Sequence, residues 1–234
     1  MKKHMIHFLQ GASVLLPPVL LIWMAVKGTE YTAFLSTVVI LLALVPFFWQ
    51  FETQKMRARD IVPIGVMSVI AALGRALFAP IPSFMPTSAI VAISGMQFGA
   101  QAGFLTGALS ALASNLFLGQ GPWTPWQMYA WGMIGFFGGF FYERGLFRHR
   151  IILYLFGFIS GILFGWFMNL WHIAGYVRPL TKEAVFAAYV MSAYMDITHG
   201  ISNVLFLLLL ERPWGKKLER LKKKYGICER GNGE

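Results

Sequence analysis

The sequence predicts an all-α integral membrane protein, on two observations. Hydrophobic residues fill 57% of the 234 positions and charged residues only 13%, with a mean hydropathy of +0.60. That balance excludes a soluble domain with a polar surface. The apolar residues also gather into runs of the length a helix needs to cross hydrocarbon, about 20 residues at about 1.5 Å each.

Eight helical segments are expected, at approximately 5–26, 32–50, 61–79, 87–98, 101–118, 126–142, 151–172 and 184–211, punctuated by Pro, Gly or charged residues. The first follows Lys2 and Lys3 and is interrupted by Pro17 and Pro18. No small-residue cleavage site comes after it, so it reads as a retained anchor and not a signal peptide. The fourth follows Pro80, Pro82 and Pro86 and is too short to span untilted, so a tilted or half-length helix is expected there. The lone Cys228 excludes an internal disulfide.

Orientation follows from the basic residues, because cytoplasmic loops hold the excess. Alternate loops and the two ends carry sixteen Lys and Arg on one side against three (Lys27, Arg178 and Lys182) on the other, with Arg75 inside a span. Both termini are therefore expected in the cytosol. The net charge of +10 is a topology signal and not a nucleic-acid footprint. The tail KKLERLKKKYG (216–226) is expected to rest on anionic lipid.

Polar residues inside the segments gather toward the outer half. Arg75 and Asn115 lie near the outer ends of the third and fifth segments, Gln127 opens the sixth, and Asn169 and His172 close the seventh. In the last segment MDITHGISN (195–203) places Asp196, His199 and Asn203 at i, i+3 and i+7, with Ser192 one turn earlier, on one helical face. Asp196 and His199 sit roughly 15 Å deep or more and form the floor of the set. A carboxylate there costs about 2.5 to 3.5 kcal/mol, and Arg75 is the expected partner of Asp196. The competing reading is that these groups only cross-link helices.

GQGPWTPWQMYAWG (119–132) adds three Trp, two Pro and two Gln in fourteen residues. Interfacial Trp is ordinary. Gln120, Trp123, Trp126 and Gln127 together also suit a planar, heteroatom-rich ligand. With the APIPSFMP loop (79–86), they predict a polar, aromatic cup open to the outside. Small residues at Ser68, Ala72 and Ala76, and at Gly103, Gly107 and Ala111, form stripes that let helices approach closely.

Enzyme signatures are absent: the chain has no GxxxxGK[ST], HExxH or GxSxG. No cofactor is implied, and His172 with His199 makes a poor metal site without Cys or Glu companions. An intramembrane enzyme using Asp196 and His199 as an acid–base pair is the alternative function.

Three stretches resemble the substrate-binding S component of energy-coupling factor (ECF) vitamin transporters: IAALGRALFAPIPSFMPTSAIVAISG (70–95), FGAQAGFLTGALSALASNLFLGQGPWTPWQMYAWGMIGFFGG (98–139) and MDITHGISNVLFLLLL (195–210). The resemblance implies a six-helix core over 61–211 preceded by two extra transmembrane helices (1–60) and followed by a basic cytosolic tail (212–234). It implies capture of a vitamin from outside, and partnership with a transmembrane coupling protein and two cytosolic ATPases. In that family the first core helix offers a small-residue face to the coupling protein, which maps onto Ser68, Ala72 and Ala76, and the following connection, 79–86, covers the ligand. Similarity of GQGPWTPWQ to members that handle corrinoids points to cobalamin or a corrinoid precursor, with riboflavin next.

Overall fold

The computed structural model describes residues 11–20, 23, 32–53 and 58–227; Cys228, Lys2 and Lys3 lie outside them. Among these described residues eight α-helices follow one another: α1 (Gly11–Leu20), then α2 (Thr32–Thr53), α3 (Ala58–Leu77), α4 (Thr87–Phe98), α5 (Ala100–Leu118), α6 (Thr124–Glu143), α7 (Arg150–Tyr176) and α8 (Lys182–Tyr225). Among the described residues four stretches, Arg59–Leu77, Ala100–Leu118, Arg150–Tyr176 and Lys182–Tyr225, are long and apolar enough to cross a membrane. The fold is all-α, as expected. On α7 the outward stripe Ile151, Leu155, Ile159 and Leu163 is exposed while Leu153, Gly157, Ser160 and Gly161 are buried, the division that one lipid-facing side and one protein-facing side require.

The short α4 is the centre of the bundle. It touches α3, α5, α6, α7 and α8, and every one of its residues except Gln97 is buried. Its length thus reflects a core position enclosed by longer helices. A single residue, Gly99 at φ 97°, links α4 to α5, a conformation that L side chains rarely adopt.

Glycine sets the spacing around α4. A Cβ built on Gly95 would lie 2.9 Å from the Gly139 nitrogen and 3.1 Å from the Gly135 carbonyl carbon. Gly103 of α5 faces Gly135, and Gly107 faces the Trp131 and Gly132 backbone. On the other flank, a Cβ on Gly161 of α7 would meet the Gly200 Cα of α8 at 2.7 Å. Backbones this close gain van der Waals contact that larger residues would prevent.

Helix α2 packs on the flank formed by α5, α6 and α7. Phe47 of α2 stacks on Phe104 with ring centres 3.7 Å apart, and Gln101 donates to the Phe47 carbonyl. Contrary to the expected interruption, α1 runs helically through Pro17 and Pro18. Those two prolines supply no N–H to the carbonyls of Ser13 and Val14, four residues earlier. The Tyr129 hydroxyl of α6 takes over, at 2.8 Å from the Ser13 oxygen and 3.3 Å from the Val14 oxygen. Freed backbone groups in an apolar medium need such a donor.

The last helix continues through Pro213 to Tyr225, so residues 212–225 extend the final span as one rod. Trp214 and Leu218 pack against the central apolar cluster, and Lys222 Nζ donates to the Gln97 carbonyl at the end of α4 at 3.0 Å. On the free face, Lys223 Nζ donates to Glu219 Oε1 at 2.8 Å, which holds the Glu219 carboxyl below its usual range.

Three variants test this packing. Gly95→Ala should lower the thermal midpoint of the detergent-solubilised protein, an overpacking penalty of about 1–3 kcal/mol. Gly65→Ala, whose Cβ would meet nothing within 4 Å, should leave the midpoint unchanged. Tyr129→Phe should cost about 1 kcal/mol and make α1 more accessible to limited proteolysis.

Candidate functional site

At the end of the bundle that the charge count predicts to face outward, α3 delivers Arg75 two residues before its last position. Arg75 Nη1 donates to Ser114 Oγ at 2.7 Å and to Asn115 Oδ1 at 2.6 Å on α5. Its guanidinium also lies over the Trp131 ring of α6, 4.8 Å from the ring centre, a cation–π arrangement. Asn115 spends its amide protons on the first turn of α6, donating to Thr124 Oγ1 at 2.9 Å and Gln127 Oε1 at 2.8 Å. The Thr124 hydroxyl donates to Gln120 Oε1 at 2.9 Å, and Gln120 Nε2 reaches back to the Leu112 carbonyl of α5. Arg75, Asn115, Gln120 and Gln127 therefore meet in one network that ties α3, α5 and α6 together.

Trp131 joins this layer to the next. Its indole N–H donates to Ser88 Oγ at 3.1 Å, and Ser88 Oγ lies 2.8 Å from His199 Nε2 of α8. The His199 ring also meets Phe164 of α7 edge to face at 5.0 Å. Nearby, Ser202 Oγ accepts from the Met85 N–H at 2.8 Å and donates to the Met85 carbonyl at 3.0 Å. That double clamp fixes the 79–86 loop to α8. Within the loop Ser83 holds φ 58°, a left-handed turn conformation uncommon for a residue with a side chain.

A third group lies between α7 and α8. Asn169 Nδ2 donates to Ser192 Oγ at 2.6 Å, and Ser192 Oγ donates to Asp196 Oδ2 at 2.9 Å. The buried Asp196 carboxylate packs on Gly165, where a side chain would collide with it. The expected ion pair between Arg75 and Asp196 does not form: Arg75 is occupied on α5, while Asp196 faces α7. Asp196 and His199 also take separate partners, on α8 itself and on α4, so they are not hydrogen-bonded as an acid–base pair. The His199 ring nitrogen is served by Ser88. Asn203 donates to the Gly157 carbonyl at 3.0 Å and cross-links α7 to α8.

Aromatic side chains rim the same end. Trp123 meets Trp171 edge to face at 5.9 Å, Trp171 meets Tyr176 at 5.3 Å, and the exposed His172 stacks on Tyr176 at 5.9 Å. Beside them a cleft of about 360 Å³ is lined by Phe34, Thr37, Pro122, Trp171, Gly175 and Tyr176. Trp126 lies behind this rim, against Phe167, and is fully buried. Its indole N–H has no acceptor among the described residues, and neither has Asn203 Oδ1 a donor.

One cup was expected; the structure has an Arg75 layer, an aromatic rim and a separate α7–α8 seam. The small-residue stripe proposed for a coupling protein needs correction. Ser68 and Ala72 are 3% and 2% exposed, and Ser68 Oγ donates to the Ile64 carbonyl of its own helix at 2.7 Å and lies 3.3 Å from the Thr106 carbonyl of α5. Only Ala76 is partly exposed. A face already closed by α5 is not free for a second protein. Sequence reasoning passed over Ser88, Ser114, Thr124 and Ser202, whose hydroxyls carry most of the links. Their neighbourhood was visible, since each lies within or beside a stretch singled out above.

Comparison with known proteins places this chain among transporters. The family described as ECF-type riboflavin transporter, S component, matches residues 55–219, which include every residue of the networks above and begin just after α2. Two proteins from Clostridium perfringens strains, each named UPF0397 protein, are 30% and 29% identical to it over 170 residues, covering 66% of this chain and 85% of each relative. No solved structure matches it.

Asn115 is the joint of the Arg75 layer, buried with three side chains depending on it. Asn115→Ala should destabilise the protein by about 1–3 kcal/mol because its partners stay buried without it. Gln120→Ala, at an exposed position, should stay within about 0.5 kcal/mol. Thermal denaturation of both variants in one detergent makes the comparison.

Proposed function

Because this chain belongs to the ECF-type riboflavin transporter S-component family, we propose that it captures a vitamin or related micronutrient from outside the cell for ATP-driven uptake. An S component is the substrate-binding subunit of such a transporter. The energy then comes from elsewhere, from a transmembrane coupling protein and two cytosolic ATPases, which fits a chain without a phosphate-binding loop. In this reading both termini are cytosolic, and residues 1–60 form a two-helix addition to the transporting core of 61–211.

The single observation that carries the site is the Arg75, Asn115, Thr124 and Gln127 network, joined through Thr124 to the neighbouring Trp123 of the aromatic rim. Flat apolar walls with a few fixed polar groups favour a ring system bearing heteroatoms. The orphaned Trp126 indole N–H adds a donor that a ligand atom or a water would satisfy. The 79–86 loop, clamped at Met85, is the cover. Asn169, His172, Asp196 and His199 extend the wall toward α7 and α8, and Asn203 braces those helices.

Two cargo classes fit. Riboflavin is favoured by the family's description and by the planar aromatic rim. Cobalamin or a corrinoid precursor is favoured by the GQGPWTPWQ stretch. The test is mass spectrometry of small molecules released from the purified protein, then calorimetric titration with riboflavin and cobalamin. Nanomolar binding of one of them, weakened about tenfold by Gln127→Ala, is the expected result. A folded, monodisperse chain that binds neither and releases no vitamin would sink the proposal.

A further inference from the structure

Arg75 carries a charge that has no counter-charge among the described residues. It is the only basic residue within α3's apolar run, and its contacts among the described residues are neutral: the Ser114 hydroxyl, the Asn115 amide oxygen and the Trp131 ring. No carboxylate lies within ion-pair distance of it among those residues, Asp196 being turned to Ser192. Both hydrogen bonds that it makes to the described residues use Nη1. Nε and Nη2 therefore keep donors in hand on one edge of a planar fork.

The direction of the side chain says where that edge is offered. Ser114, Asn115 and Trp131 are 0%, 1% and 0% exposed, so the guanidinium is drawn into the bundle and not out to the lipid phosphates around it. Arg75 itself stays partly exposed. A cation held in a low-dielectric setting by neutral groups alone is costly, and an incoming anion lowers that cost.

We propose that Arg75 is the receptor for an anionic group, a phosphate or carboxylate, on the transported molecule. The unpaired edge of the fork takes two oxygens side by side, while Ser114 and Asn115 hold the other edge in place. Asn115 in turn is held by Thr124 and Gln127. The anion's charge completes the arrangement, so ligands that carry one bind better than neutral ligands of the same ring system. This inference rests on the vitamin-capture reading above and sharpens it: of the two cargo classes, it favours one bearing phosphate.

The test uses the full chain in lipid-free detergent, which removes lipid phosphate as a competing source, and two ligand pairs. Riboflavin and riboflavin 5′-phosphate differ only in the phosphate; cobinamide and cobalamin differ by the phosphate-bearing nucleotide loop. In calorimetric titration the phosphate-bearing member of whichever pair binds should be at least about tenfold tighter. Arg75→Gln should bring the two members to within about twofold, and Arg75→Lys, which keeps the charge but not the fork, should retain part of the difference. Equal affinity for both members in the wild type overturns the inference, as does a preference that survives in Arg75→Gln. Should Arg75→Gln fail to fold, the wild-type comparison and Arg75→Lys still decide. A preference that appears only when anionic lipid is added back assigns Arg75 to a headgroup and also overturns it. Binding of no member of either pair removes the vitamin reading and this inference with it, whereas equal binding removes the inference alone.

Discussion

The fold depends on helix backbones being allowed to touch. Around α4 the contacts of Gly95, Gly103, Gly107, Gly135 and Gly139 are largely with main-chain atoms of neighbouring helices. In lipid no hydrophobic force drives helices together, because the tails are as apolar as the side chains they would replace, so dense contact and hydrogen bonds must do it. Glycine provides the dense contact. It also places a helix of only twelve residues where five others surround it.

The polar layers inherit their geometry from that spacing. Gly107 sits against the Trp131 backbone, which sets the indole where its ring lies under Arg75 and its N–H reaches Ser88. Ser88 occupies the second position of α4, and it faces His199 only because α4 is central. A rise of one side chain's thickness between α5 and α6 would displace Trp131 and, with it, the link from α3 to α8. Packing and recognition are thus one arrangement here, with the small residues at its base.

Polar groups follow a second rule, that nothing buried in an apolar medium is left alone without consequence. The Tyr129 hydroxyl serves carbonyls freed by Pro17 and Pro18, Ser202 serves both main-chain groups of Met85, and Asn203 ties α8 to Gly157. These three are cross-links in the structural sense. Among the described residues Trp126, with an unfilled N–H, and Asn203, whose Oδ1 has no donor, are the exceptions. Each such group calls for a partner of its own, a water, an ion or a ligand atom.

Segment positions were legible in the sequence because they follow from local composition: the expected 87–98 and 101–118 segments coincide within a residue with α4 and α5. The quoted motifs likewise pointed to the family. Pairings were not legible. Asp196 and His199 share a helical face by periodicity, yet they diverge to α7 and α4, since a face about 100° wide can border two neighbours. The Ser68, Ala72 and Ala76 stripe was equally readable as an inner or an outer face, and the position of α5 made it inner. The continuation of α8 through Pro213 also escaped, because contacts of Trp214, Leu218 and Lys222 with the core support it. By itself, then, the sequence determined which stretches are helices, that they belong in a bilayer and which residues are too polar to be idle. Tertiary structure alone decided which of those residues meet, because partner choice depends on helix order around α4, and periodicity along one helix carries no information about its neighbours.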